Sequence, residues 1–225
     1  MDQLVEIFDQ NGAAIIQGDL NPEVLHQMEH ELVSSTAEVK HASSLEGRFR
    51  YRAGKPDDYK IEGYCSLLAS KTLRQALDLL TLHGSEGSGE VGWKAYYFGG
   101  DEVSPQTHNM QDLHSDWPAY RTNSMSQGFA LVVAVAPRDI PVDLAPMRLV
   151  PWSLLSREQD YPVRSRGDKD LYEEGYEVTL KAGEILIRDC RAAHGGTPNR
   201  TEKIRCLPCV QILSPQFQRG LSRGL

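Results

Sequence analysis

A mainly β fold with flanking helices, of the jelly-roll and cupin-like type, is predicted by three features of the chain. Helical periodicity is confined to residues 1–90. From about residue 91 short strand-like runs take over, at 93–98, 128–136, 147–150, 176–180, 184–188 and 204–213, separated by Gly, Pro, Asn and Asp. The candidate metal ligands fall within this β region, and a jelly roll has the open mouth that a buried metal centre requires.

The elements follow in order. The apolar stretch Ala13, Ala14, Ile15, Ile16 precedes Asn21, a suitable N-cap, with Pro22 at the first helical position. This spacing predicts a helix over about 22–35. Ser70 is placed to cap a second helix, in which Leu73, Ala76, Leu77 and Leu80 recur on one face. Between the two helices Arg48, Phe49, Arg50, Tyr51 and Arg52 alternate charge with aromatic, the pattern of an edge strand with one buried face. Its arginines form a lip able to attract an anionic substrate. The charged segment 156–175, which contains Pro162 and Gly167, reads as a surface loop or lid.

The 225 residues suit one domain, 1–225, with 1–90 as a helical buttress and 91–215 as the jelly-roll core. With 31 acidic against 24 basic side chains the net charge is −7, which disfavours nucleic acid and anionic membrane surfaces as partners. A small-molecule substrate fits better, and oligomeric state is not legible. No basic segment leads into a sustained apolar run, so a soluble, cytoplasmic chain is expected. The four cysteines are then expected as free thiols. Cys206 and Cys209 have the spacing of a redox pair, but on a strand residues three apart face opposite sides. His26 and His30 are four apart on a polar helix and read as surface histidines.

The chemistry lies in the segment 111–117, Gln-Asp-Leu-His-Ser-Asp-Trp, and in 191–200, Arg-Ala-Ala-His-Gly-Gly-Thr-Pro-Asn-Arg. His114 and Asp116 are two apart, so an extended chain projects both to one side. His194 supplies a second imidazole. Two imidazoles and a carboxylate on one face of a metal leave the other face open, as non-haem Fe(II) requires when co-substrate and dioxygen must bind together. Gly195 and Gly196 keep the backbone slim beside His194, where co-substrate would crowd. Arg205, on the next strand, can grip a carboxylate with its planar guanidinium.

The motif Gln-x-Leu-His-x-Asp, the run Leu-Lys-Ala-Gly-Glu-Ile-Leu-Ile, and the segment His-Gly-Gly-Thr-Pro-Asn-Arg-Thr-Glu-Lys-Ile-Arg resemble the phytanoyl-CoA dioxygenase family of Fe(II)/2-oxoglutarate oxygenases. The opening Asn-Gly-Ala-Ala-Ile-Ile-Gln-Gly-Asp-Leu is similar too. The resemblance implies a double-stranded β-helix in which His114, Asp116 and His194 ligate iron and Arg205 holds the distal carboxylate of 2-oxoglutarate. It also implies that Gln111, and more loosely Thr197, lie near the co-substrate. Where the family often carries Pro-Gly-Ser-His, this chain has Pro151-Trp152-Ser153-Leu154, and no contact is carried over from that turn. Halogenating relatives lack the carboxylate ligand. Retention of Asp116 therefore implies oxidation of a C–H bond by hydroxylation, desaturation or ring closure, with dioxygen as second co-substrate. Tyr97, Trp117, Arg121, Arg188 and Arg191 are the candidate substrate contacts by proximity in sequence. Two alternatives fit the same ligands: a cupin-like lyase or isomerase using zinc or manganese without 2-oxoglutarate, and a non-catalytic binding module on the same fold.

Overall fold

The computed structural model describes residues 3–40, 47–54, 62–84, 92–116, 129–151 and 174–217. Their order is α1 (Leu4–Asn11), β1 (Ala13–Gln17), α2 (Pro22–Lys40), β2 (Arg48–Gly54), α3 (Glu62–Ala69), α4 (Lys71–Gly84), β3 (Lys94–Val103), β4 (Ala130–Val135), β5 (Met147–Leu149), β6 (Tyr176–Val178), β7 (Glu184–Asp189), β8 (His194–Gly196) and β9 (Arg205–Leu213). Residues 117–128 and 152–173, which include Trp117, Arg121 and most of the expected lid, lie outside the described residues.

Local chemistry explains the helix starts. The side-chain oxygen of Asn21 accepts the Val24 amide at 2.9 Å, and the Ser70 hydroxyl accepts that of Leu73 at 3.1 Å, so both predicted caps form. The hydroxyl of Ser70 in turn donates to Asp19, which ties the start of α4 to the end of the β1 segment. Helix α2 runs five residues beyond the predicted end, to Lys40.

Six strands form an antiparallel sheet in the order β1-β7-β4-β9-β3-β2, and three form a smaller one in the order β6-β5-β8. The two sheets make a jelly roll. The expected boundary near residue 90 does not divide it, because β1 and β2 come from the N-terminal segment and form both edges of the larger sheet.

Period-two alternation assigns each face of the larger sheet a job. On the outer face Leu131, Val133, Val135, Ile185, Ile187, Val210 and Ile212 pack against Met28, Tyr64, Leu67, Leu73 and Leu77 of the helices. Each such leucine, fully buried, contributes roughly 1.5–3 kcal/mol, and together they fix the helical layer to the sheet. On the inner face Ala134, Leu186 and Leu207 meet Leu149, Val178 and Leu180 near the smaller sheet. This apolar packing fills one end of the space between the sheets. The other end is polar.

Candidate metal centre

The segment 111–116 runs beside residues 190–196 and widens the smaller sheet. The Gln111 amide donates to the Gly196 carbonyl at 2.8 Å, His114 and His194 exchange both backbone hydrogen bonds at 2.9 Å, and the Asp116 amide donates to the Cys190 carbonyl at 2.9 Å. This register sets the imidazoles of His114 and His194 side by side, with ring centroids 4.4 Å apart. Asp116 projects to the same side, as two-residue spacing on extended chain demands. One side-chain donor atom from each of His114, Asp116 and His194 lies within 4.8 Å of the others.

The backbone also selects the imidazole nitrogens. Nδ1 of His114 lies 2.9 Å from the Asp112 carbonyl oxygen, and Nδ1 of His194 lies 2.9 Å from that of Ala192. A carbonyl oxygen only accepts, so each Nδ1 carries a proton, and it is Nε2 that each imidazole can offer to a cation. Burial, then the positive charge of Arg188, hold His194 neutral by depressing its pKa well below the ordinary value. For Asp116 burial acts in the opposite sense, but the Arg188 guanidinium overcomes it and keeps the carboxyl ionised far below the usual carboxylate range. Two imidazoles and one carboxylate form a donor set that fits a first-row divalent cation.

A cavity of about 350 Å³ opens beside these ligands. Alternation on β9 turns Arg205, Leu207, Cys209 and Gln211 into it, and the pairing register aligns Tyr97 of β3, Gln211 of β9, Val132 of β4 and Arg188 of β7 in one row across the sheet. Arg205 is 3% exposed. Its Nε donates to the Ala145 carbonyl at 3.2 Å and its Nη1 to Asp101 at 2.6 Å, while its Nη2 has no partner among the described residues. Gln111 lines the cavity with its side-chain oxygen accepting the Gly196 amide at 3.1 Å.

Not every expected contact lies at the cavity. Thr197 does not line it, since its hydroxyl donates to the Pro146 carbonyl at 2.7 Å and the residue is 1% exposed. Arg191 folds back on Asp189, with Nε and Nη2 at 2.9 and 2.8 Å from the carboxylate, and does not line the cavity either. Arg188 does line it, but its Nη2 lies 2.5 Å from Asp116 Oδ2, so the guanidinium is already engaged. Gly196 lines the cavity and also makes room for Arg48: a Cβ there would collide with the guanidinium, which donates to the carbonyls of Thr197 and Asn109.

Arg50, one of the arginines read from the sequence as a lip, lines the cavity with half its side chain exposed and its Nη1 3.6 Å from Asp116 Oδ1; Tyr96 and Gln211, which also line the wall, were not singled out from the sequence. Alternation counted from Arg205 was the available signal for Gln211. The Cys206 and Cys209 thiols are pushed up to about 12, first by burial and then by nearby carboxylates, so at neutral pH neither is the thiolate of a redox pair.

Solved structures share this architecture at low sequence identity. AviO1 from Streptomyces viridochromogenes Tue57 superposes with a TM-score of 0.66 at 15% identity, covering 95% of each chain. The non-haem monooxygenase ThoJ gives 0.67 at 17%, over 94% of this chain and 77% of that one. The epimerase SnoN, solved with Fe3+, α-ketoglutarate and nogalamycin RO, gives 0.60 at 16%, over 95% of this chain and 83% of that one. No curated protein sequence matches significantly. The sequence profile for phytanoyl-CoA dioxygenase (PhyH) does match, over residues 8–206, from the beginning of the helical layer to the strand that bears Arg205. The chain belongs to the phytanoyl-CoA dioxygenase family.

Proposed function

We propose that this protein is a non-haem Fe(II)- and 2-oxoglutarate-dependent oxygenase that oxidises a C–H bond of a small molecule, by hydroxylation or by desaturation or ring closure, in specialised or amino-acid-type metabolism. The observation that carries this reading is one cavity lined both by Asp116 and His194, which cluster with His114, and by the buried Arg205. The iron and α-ketoglutarate in the similarly folded SnoN support the same pair here. A lyase or isomerase working through the metal alone leaves Arg205 only its contacts with Ala145 and Asp101.

When bound, iron and 2-oxoglutarate supply the oxidation: one dioxygen and one 2-oxoglutarate are consumed as C–H becomes C–OH, with succinate and carbon dioxide as the other products. The protein's residues supply position and environment. His114, Asp116 and His194 would hold the metal, and Arg205 would orient the far carboxylate of the co-substrate. Val132, Ala134 and Leu207 keep part of the wall apolar. Arg50, at the solvated side, is a cation able to draw in an anionic substrate group, and Tyr97 and Gln211 offer a phenol and an amide for orienting it.

The test is an anaerobic titration of the protein with Fe(II) and then 2-oxoglutarate. The expected result is a weak visible charge-transfer band that saturates with one equivalent of each. Metal bound with no band on adding 2-oxoglutarate would refute the co-substrate assignment.

A further inference from the structure

We infer that Arg188 is a positioning residue for the metal-binding carboxylate: it holds Asp116 Oδ2, so that Oδ1 alone faces the cation. This rests on the metal-centre reading above. Arg188 was a plausible substrate anchor by its place in the sequence, but its burial and its partner speak against that role. It is 2% exposed, on the inner face of β7 opposite Val132. Its Nη2 donates to Asp116 Oδ2 at 2.5 Å and its Nη1 to the Asp189 carbonyl at 3.2 Å. The guanidinium is thereby anchored at one end to the strand and at the other to the carboxylate. Asp116 Oδ1 is left 3.8 Å from His194 Nε2, turned towards the imidazole that shares the candidate site, with the half-exposed Arg50 Nη1 at 3.6 Å, beyond hydrogen-bonding distance.

A carboxylate free to rotate can offer a metal either oxygen or both. One oxygen taken by a buried, planar, two-point donor removes that freedom and selects single-oxygen ligation. The site pays for this, because a buried guanidinium costs several kcal/mol in desolvation and its charge repels a divalent cation. The two effects of Arg188 on metal affinity have opposite signs: orientation tightens binding and repulsion weakens it. An experiment can therefore tell a positioning residue from a mere counter-charge.

The full chain, freed of metal, is titrated anaerobically with Co(II) as wild type, Arg188→Lys and Arg188→Met, following the visible d–d absorption, with thermal unfolding of each metal-free protein as a check on folding. Positioning predicts that Arg188→Met binds Co(II) about 10- to 100-fold more weakly. Its band shape changes as the second carboxylate oxygen becomes free to coordinate. Lysine keeps the charge but not the two-point geometry, so Arg188→Lys should fall between Arg188→Met and wild type. Binding by Arg188→Met as tight as wild type or tighter, which loss of a repelling charge predicts, would overturn the inference. Should Arg188→Met fail to fold, Arg188→Lys decides: weaker binding with an altered band supports positioning, and wild-type affinity overturns it. Wild-type protein that takes up no Co(II) would overturn the metal-centre reading itself and this inference with it.

Discussion

Replacing Arg205 by Ala tests the co-substrate site at the point where the structure best defines the cost. Nη2 is the donor without a partner among the described residues, and a bound carboxylate would also compete with Asp101 for Nη1. A charge-assisted hydrogen bond contributes roughly 1.5–3 kcal/mol. One such bond, with part of a second, gives roughly 2–4 kcal/mol, or about 30- to 700-fold at 1.4 kcal/mol per decade. The fold should lose less. Asp101 is 35% exposed and remains solvated, so the structural cost is chiefly the Ala145 carbonyl deprived of its donor, about 1 kcal/mol. The assay is the dissociation constant of 2-oxoglutarate from the anaerobic Fe(II) protein, measured on the charge-transfer band beside urea unfolding. Arg205→Lys, which keeps a point charge without the fork, should lie between wild type and Arg205→Ala. A folded Arg205→Ala protein whose 2-oxoglutarate affinity stays within about threefold of wild type would refute the anchor role, since even one charge-assisted bond outweighs that.

Three more outcomes are expected. Asp116→Ala should abolish substrate-dependent succinate formation and, by stranding the buried charge of Arg188, destabilise the metal-free chain by about 3 kcal/mol in chemical denaturation; turnover at the wild-type rate would exclude the ligand role. Native protein treated with iodoacetamide near pH 8 should be alkylated at exposed Cys65 well before buried Cys190, Cys206 and Cys209, and peptide mapping that finds Cys209 modified as fast would contradict the elevated thiol pKa. The hydrogen bond from Ser70 holds the Asp19 carboxyl below its ordinary 3.8, so its contribution is complete above that pH and is lost as pH falls through the lower folded value. Asp19→Asn should thus destabilise the chain at pH 7 by an amount that solvent screening keeps under about 1 kcal/mol, read as a lower Tm whose gap to wild type closes below pH 4; a gap that widens in acid would reverse the assigned sign.

The features legible in the sequence were those with a local cause. Asn21 and Ser70 cap because their side chains reach amides three residues on, and His114 with Asp116 share a side because extended chain alternates. What escaped was set by distant partners. Helix α1 is eight residues long, with only Leu4 and Phe8 buried, too brief to show a period. Strand β8 is His194 with two glycines, which have no strand preference; Leu149, Arg148 and Met147 opposite hold it extended. Alternation along β7 puts Arg188 with Leu186 on the inner face, but its partner lies 72 positions away and only the folded chain brings them together. Thr197 shows the converse, since its place beside His194 in sequence says nothing about the Pro146 carbonyl that claims its hydroxyl.

The position of β9 bears on how the molecule assembles. Among the described residues it is the last strand in sequence order, yet it sits inside the larger sheet, between β4 and β3. Without residues 205–213 the strand pairing would divide into two pieces, β1-β7-β4 and β3-β2, each with an open edge. Both pieces expose apolar rows such as Val133 and Phe98 that the finished fold buries. Joining contacts this far apart in the chain makes folding slow, and the open edges invite association with other chains in the interval. A growing chain would therefore carry all three candidate metal ligands before it possesses either a closed sheet or Arg205. Closure of the sheet and arrival of the guanidinium are then a single event, which couples competence for the dicarboxylate to completion of the fold.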